Sequence, residues 1–292
     1  MIGFNLNETK RHFTETLAER FPQREAEQLM RILLEDLFNI DLKMELMNPA
    51  MRIDEMQYAR LKNAVNRLVM GEPVQYVTGK AWFDGMEFHV DESVLIPRPE
   101  TEELVQLVAE DLTRRFETGC HDKPLRIWDV GTGSGCIAIA LAKRFPLATV
   151  QAFDVSAQAL ETASRNANYN KVNVIFICDD VLHPQSEVWH RPVDVVVSNP
   201  PYVFESEKAA MERNVLDHEP HSALFVPDDN PLLFYRKILA LVKPQLNPNG
   251  TVWFEINEAM GQEMWQLCSE MGFKADLYTD FFGKNRFVQV RA

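Results

Sequence analysis

The stretch Val193-Asp194-Val195-Val196-Val197 constrains this chain more than any other. Apolar β-branched residues pointing to both sides of a strand predict burial on both faces, the situation of a strand inside a parallel sheet covered by helices. The surrounding segments agree. Strand-like apolar runs at residues 125–130, 149–153, 174–178 and 251–256 alternate with helix-period runs at 137–145, 157–168, 232–242 and 260–271, and two last strands are expected near 275–278 and 287–290. That order predicts an α/β fold: a mainly parallel sheet with helices on both faces.

The N-terminal part has a different period. Phe13, Leu17 and Phe21 form one stripe, Ala26, Leu29, Met30, Leu33, Leu34 and Leu37 a second, and Leu61, Ala64, Val65 and Leu68 a third, each on one face of a helix. Asp54 with Gln57 suits a capping box, and Gly71 followed by Pro73 is a stop. Residues 1–73 are therefore expected to form a helical bundle domain that could hold a macromolecular substrate. Residues 74–97 are expected as a β-hairpin linker, with Trp82-Phe83 and Phe88-His89-Val90 flanking the turn Asp84-Gly85. Residues 98–292 make up the α/β domain.

Composition excludes several classes. In 292 residues, 46% hydrophobic and 25% charged is a globular mixture, not a disordered one. The net charge is −13 and falls almost wholly after residue 80, the first 80 being nearly neutral. A duplex-binding protein shows a basic face, because phosphate contacts supply much of its affinity, so no direct nucleic-acid partner is expected. No run approaches a membrane span, and MIGFNLNETKRHF lacks the basic-then-apolar layout of a signal peptide. Cys120, Cys136, Cys178 and Cys268 show no CxxC spacing, which argues against a disulfide framework or zinc site and fits a cytoplasmic protein.

Asp129-Val130-Gly131-Thr132-Gly133-Ser134-Gly135 follows the first strand of the sheet and opens a helix. Glycine permits a sharp turn and close approach of a ligand, which would lie at the carboxyl end of the strands. Alone, such a loop also fits a nicotinamide dinucleotide or a bare tight turn. The glycines, however, read G-T-G-S-G and not G-x-G-x-x-G. Asp154 ends the second strand, where a carboxylate can accept both hydroxyls of a ribose or simply cap the next helix. Asp179-Asp180 end the third, where a side chain could meet an adenine amino group. Acids at successive strand ends, with no basic residue near the glycines, suit S-adenosylmethionine, which carries a positive sulfonium and no phosphate.

The fourth strand ends in Ser198-Asn199-Pro200-Pro201-Tyr202. The Asn199 carboxamide oxygen can accept a hydrogen bond. The Pro200 carbonyl precedes another proline and is not tied into a ladder. Tyr202 adds a flat apolar face. Two acceptors and a plate can hold a planar –NH2 group. Fixing both N–H bonds aims the nitrogen lone pair at a methyl carbon and stabilises the charge that develops on nitrogen, and placement at ~3–3.5 Å does much of the rest. Elsewhere, His218-Glu219-Pro220-His221 invites a metal reading, but proline breaks the helical geometry and no third ligand is evident; no metal is expected. Cys136 at the helix start reads as packing. In Val94-Leu95-Ile96-Pro97-Arg98-Pro99-Glu100-Thr101-Glu102-Glu103, the prolines predict a stiff loop and the acids suit the first turn of a helix.

These residues resemble the class I S-adenosylmethionine-dependent methyltransferases that modify –NH2 nitrogens, and within them the HemK/PrmC family of release-factor glutamine methyltransferases. The resemblance runs over essentially the whole chain: the helical N-terminal domain, Gly71-Glu72-Pro73-Val74-Gln75-Tyr76, the 94–102 run, Asp129–Gly135, Asn199–Tyr202 and Phe254-Glu255-Ile256. NPPY alone is shared with adenine and cytosine amino-methyltransferases; LIPRPETE is more specific. The resemblance implies a Rossmann-like, mixed seven-stranded sheet and methyl transfer from S-adenosylmethionine, leaving S-adenosylhomocysteine. The acceptor would be the side-chain amide nitrogen of the glutamine in the GGQ loop of class-1 peptide chain release factors. It implies cofactor binding by Gly131, Thr132, Gly133, Ser134, Gly135, Asp154, Asp180 and Asn199, and a glutamine held by Asn199, Pro200, Pro201 and Tyr202, of which Asn199, Pro200 and Tyr202 act in catalysis. A monomer is expected. The alternatives are another protein glutamine, as in a ribosomal protein, a nucleic-acid adenine or cytosine, or a module that binds cofactor without turnover. Val181 and Asn257 depart from the family pattern.

Overall fold

The computed structural model describes residues 3–117 and 124–292; Cys120 lies outside them. The chain divides into two units, residues 1–80 with 212–218, and residues 81–211 with 219–292.

In the first unit, β1 (Phe4–Asn5) pairs antiparallel with β2 (Arg52–Ile53). The helices are α1 (Leu6–Ala18), α2 (Gln23–Phe38), α3 (Leu42–Met47), α4 (Glu55–Val69) and α5 (Val74–Thr78). Phe13, Leu17, Met30, Leu33, Leu61, Val65 and Leu68 share one core, as the three stripes predict, except that Phe21 lies past the end of α1. The Asp54 carboxylate accepts from the Gln57 N–H at 2.7 Å and the Gln57 side chain accepts from the Asp54 N–H at 3.0 Å, so α4 starts with a complete capping box. It stops before Gly71, whose φ of +97° a side chain would resist.

Next comes a hairpin, β3 (Lys80–Phe83) and β4 (Met86–His89), which from Ala81 onwards lies in the second unit and turns at Asp84 and Gly85 with φ of +50° and +72°. There follow α6 (Pro99–Glu117), β5 (Arg126–Val130), α7 (Cys136–Arg144), β6 (Thr149–Asp154), α8 (Ala157–Asn170), β7 (Ile175–Cys178) and β8 (Val193–Ser198). After β8 come β9 (Val203–Phe204), α9 (Arg213–His218, which belongs with the first unit), α10 (His221–Leu224) and β10 (Phe225–Val226), where β9 and β10 form a two-residue parallel bridge. The chain ends with α11 (Leu233–Val242), β11 (Leu246–Glu255), α12 (Gly261–Glu270), β12 (Lys274–Thr279) and β13 (Asn285–Arg291).

Seven strands form one mixed sheet in the order β12-β13-β11-β8-β5-β6-β7, parallel apart from β13, which runs antiparallel to both its neighbours. Val195 and Val197 enter a core with α6 and α7, while Val196 enters another with α11 and α12. The double-sided burial expected of that strand is thus realised. The strand order reverses direction between β5 and β8, the kind of crevice in which open α/β sheets bind ligands. No helix among the described residues is long and apolar enough to cross a membrane.

The hairpin is bolted to this unit at several points. The Asp84 N–H donates to Glu102 at 3.0 Å, and Arg144 Nε donates to the Asp84 carboxylate at 3.0 Å. Asn166, fully buried on α8, accepts from the His89 N–H at 2.7 Å and donates to the carbonyls of His89 and Ser134, both at 2.9 Å. One side chain therefore holds the hairpin and the glycine loop together. Asn166→Ala would strand these buried groups, and we expect it to cost about 2–4 kcal/mol in chemical denaturation. A loss under about 0.5 kcal/mol, the range of a surface change, would contradict this role.

Candidate active site at the carboxyl edge of the sheet

The glycine loop turns its own amides inward. The N–H groups of Gly131 and Thr132 both donate to the Phe153 carbonyl, at 2.9 and 3.0 Å, and that of Gly133 to Asp154 Oδ2 at 2.8 Å. The N–H of Gly135 donates to the Thr132 carbonyl at 2.9 Å. A phosphate-binding loop keeps such groups for its anion; here four are already used, which disfavours a pyrophosphate at this loop. At Gly135 the residue type is over-determined: φ is +83°, and a Cβ would lie 3.0 Å from both Ala163 and Ile139. At Gly131 a Cβ would meet nothing within 4 Å, so there the backbone angle of +76°, not packing, requires glycine.

The acids at the strand ends differ in what they hold. Asp129, fully buried, accepts on Oδ2 from the Thr132 hydroxyl at 2.6 Å and the Ala138 N–H at 3.1 Å, clamping the loop onto α7. Its other oxygen is buried with no partner among the described residues. Burial pushes the Asp129 carboxyl up to about 7 against those two hydrogen bonds, with the Asp154 charge adding to the rise. Asp154 accepts from Gly133 on one oxygen and from the Ser156 N–H at 2.9 Å on the other. Burial raises its carboxyl, opposed by those backbone donors. Each of its oxygens retains a lone pair for a further donor. Burial works against ionisation of Asp179, but the amides of Ser186, Gln185 and Asp180 and the Trp189 indole together hold its carboxyl below the usual range. Asp179 is therefore a loop anchor. Asp180 accepts from the Leu182 N–H at 2.8 Å and faces His183 Nδ1 at 2.9 Å, so its oxygens are partly committed to their own turn. Val181 packs against the cluster that contains Phe153 and Trp189, two rings stacked at 4.0 Å.

The turn after β8 is held just as firmly. The Ser198 hydroxyl donates to the Val130 carbonyl at 2.6 Å, joining the ends of β8 and β5. Asn199 Nδ2 donates to the Thr101 hydroxyl oxygen at 3.1 Å. The Thr101 hydroxyl donates to Glu255 Oε2 at 2.7 Å, and the Tyr202 hydroxyl donates to Glu255 Oε1 at 3.0 Å. Glu255 is 1% exposed at the end of β11. Burial raises its carboxyl against the hydrogen bonds of Thr101 and Tyr202 and the nearby Arg286 guanidinium. Burial, and then the Glu255 charge, carry the Tyr202 phenol well above its usual range, so it stays a neutral donor. Asn257 caps the next turn by accepting from the Ala259 N–H at 3.0 Å, with Nδ2 3.4 Å from the Tyr202 carbonyl.

Thr101 and Glu255 were visible in the sequence only as parts of longer runs. Their link spans 154 positions, and no local pattern signals it. The same holds for Glu219, whose carboxylate pairs with Arg98 at 2.6 Å and accepts from the Ile96 N–H at 3.2 Å, pinning the proline-rich loop that leads to Thr101. Among the described residues no group of three or more His, Cys, Asp or Glu could hold a metal. Burial pushes the Cys136 thiol up to about 12, which removes it as a nucleophile.

Asp129 gives a pH test. In the folded chain it releases its proton near 7, above its ordinary 3.8. Between these values the folded state holds a proton that the unfolded state has lost, so the stability linked to this group is complete below the lower value and fades as pH rises through the upper. Asn cannot titrate. The stability of Asp129→Asn relative to the wild type should therefore improve steadily between about pH 4 and pH 7 in urea melts and level off above that; parallel curves would contradict the raised carboxyl.

Residues 8–79 match the family model described as PrmC N-terminal domain, and residues 106–220 that described as Methyltransferase small domain. The chain is 41% identical over 279 residues to the release factor glutamine methyltransferase of Flavobacterium psychrophilum, covering 95% of this chain and 96% of that protein. It is 39% identical over 285 residues to that of Bacteroides thetaiotaomicron, covering 97% and 99%. Among solved structures, the hMettl16 catalytic domain in complex with a 3'UTR hairpin aligns with a TM-score of 0.53 over 82% of each chain at 12% identity, a likeness of fold alone. Identity at this level along nearly the full length of both partners, with the helical unit included, makes the protein a member of the release factor glutamine methyltransferase family.

Proposed function

We propose that this chain transfers the methyl group of S-adenosylmethionine to the side-chain amide nitrogen of the glutamine in the GGQ loop of class-1 peptide chain release factors. The observation that carries this reading is the turn Asn199–Tyr202 at the switch point of the sheet, with the Asn199 –NH2 turned to Thr101 by one of its N–H bonds. The carboxamide oxygen is then free for a donor. With the Pro200 carbonyl and the Tyr202 ring it would offer what a primary carboxamide needs: two acceptors and a plate.

The residues at the strand ends fit the cofactor. The unpartnered oxygen of Asp129, the spare lone pairs of Asp154 and the loop amides already bonded within the protein suit a ligand with hydroxyls, a cation and no phosphate. Gly131 to Gly135 would lie along it, with Thr132 and Ser134 fixing the loop. Asp154 would accept from its ribose, Asp180 would border its adenine, and Asn199 would face its reactive end. When bound, the cofactor supplies an activated methyl carbon.

The protein's own contribution is to the acceptor. A carboxamide nitrogen is a weak nucleophile because its lone pair is delocalised into the carbonyl. Asn199 Oδ1 and the Pro200 carbonyl would accept its two N–H bonds, turning the lone pair towards the methyl carbon and stabilising positive charge on nitrogen. Pro201 stiffens the turn, and Tyr202 limits the plane in which the group can lie. The methylated nitrogen is acidic and loses a proton without a dedicated base. The helical unit, nearly neutral in charge, would help to dock the release factor.

Incubation with cofactor and a class-1 release factor, followed by mass spectrometry, should show one added methyl on the GGQ glutamine; methyl on nucleic acid and none on the protein would overturn the reading. Asp154→Ala should weaken cofactor binding by roughly one to two orders of magnitude in calorimetry, from about 1.5–3 kcal/mol of charge-assisted hydrogen bonding. Unchanged affinity would remove the ribose role. Asn199→Ala should lose most of kcat while keeping more cofactor affinity than activity; full turnover would remove it from the mechanism.

A further inference from the structure

We propose that Glu255 is a positioning residue for methyl transfer: through the Thr101 hydroxyl its buried carboxylate dictates which face of the Asn199 carboxamide is presented to the acceptor. The proposal rests on the reading of the site given above and extends it to residues outside the NPPY turn.

Proton counting fixes the arrangement. Thr101 has a single hydroxyl proton, and it points to Glu255 Oε2 at 2.7 Å. Towards Asn199 the same oxygen can offer only a lone pair, so Asn199 must answer with Nδ2, as it does at 3.1 Å. Oδ1 is thereby turned the other way, where an acceptor for substrate N–H is required. Flipping the carboxamide would need the Thr101 proton to leave the carboxylate, stranding a fully buried charge-bearing oxygen. The other oxygen of the same group receives the Tyr202 hydroxyl at 3.0 Å. One carboxylate thus grips the residues on both sides of Pro200-Pro201.

Its own position is secure. Phe254, one residue earlier, pairs with Ser198 in the sheet, and the Tyr235 hydroxyl donates to the Glu255 carbonyl at 3.0 Å. Arg286, tied to the Ile256 carbonyl at 3.4 Å and to Asp280 at 3.3 Å, supplies a nearby positive field. A buried carboxylate is costly to a fold that an apolar side chain of similar size would satisfy at lower cost. Such a departure from local consistency is the mark of a site under functional demand.

Thr101→Val keeps the shape and removes the hydroxyl, whereas Thr101→Ser keeps the hydroxyl. We expect Thr101→Val to lower kcat on a class-1 release factor by about ten-fold or more, because Asn199 Oδ1 is no longer held towards the acceptor nitrogen in the transition state. KM for the cofactor should stay within about two-fold, and Thr101→Ser should recover most of kcat. Wild-type kcat in Thr101→Val, equal impairment of both variants, or a loss confined to cofactor KM would overturn the proposal alone. A substrate-free reading guards against a folding defect in Glu255→Gln. The Asn199 side-chain –NH2 signals, identified by their disappearance in Asn199→Asp, should shift in both Thr101→Val and Glu255→Gln; signals unmoved in Thr101→Val would also overturn it. A wild-type chain that places no methyl on glutamine would sink the function itself, and the proposal with it.

Discussion

Three consecutive amides, those of Gly131, Thr132 and Gly133, fold back onto the end of β6 and stay there. Much of the site follows from this seam. It fixes the loop's shape without a ligand, uses up donors that a phosphate would want, and aligns the end of β5 with the carboxylate of Asp154. A second seam, the Ser198 hydroxyl on the Val130 carbonyl, brings the end of β8 to the same place. Parallel strands give these ends a common edge; the two seams make that edge a surface with defined acceptors.

Buried carboxylates do the remaining fixing, and each is kept for a different reason. Asp129 clamps the loop to α7, with burial pushing it up to about 7. Glu255, at the end of β11, orders three side chains drawn from α6 and the turn after β8. Glu219 holds the extended loop that delivers Thr101. In a low-dielectric interior such groups are costly unless donors reach them, and the donors here belong to the segments that have to be placed. Stability is given up locally, and a unique arrangement of the acceptors is the return.

The sequence made the layers legible and much of the chemistry at their edge, but not the links between them. The valines of β8 announced a sheet covered on both sides because strand periodicity is local, and the three helical stripes announced a bundle for the same reason. The turn Asp84-Gly85 was readable from its two residues alone. Two-residue pairings such as β1 with β2 and β9 with β10 carry no period and left no trace. The sequence suits Asp154 to a ribose and Asp179-Asp180 to an adenine, yet Asp129 and Asp179 are loop anchors while Asp154 has capacity to spare; burial and partner count separate them, and neither is encoded nearby. Thr101 in particular read as one more residue in an acidic helix start. Its partner lies 154 positions away.

Methyl transfer at this site turns on the orientation of one carboxamide opposite another. A crystal structure of the chain with S-adenosylhomocysteine and a release-factor domain bearing its glutamine would test this most directly. The glutamine nitrogen should lie ~2.7–3.2 Å from both Asn199 Oδ1 and the Pro200 carbonyl, with its remaining face towards the sulfur. A glutamine seated elsewhere, or Asn199 offering its –NH2 to the glutamine, would contradict the account.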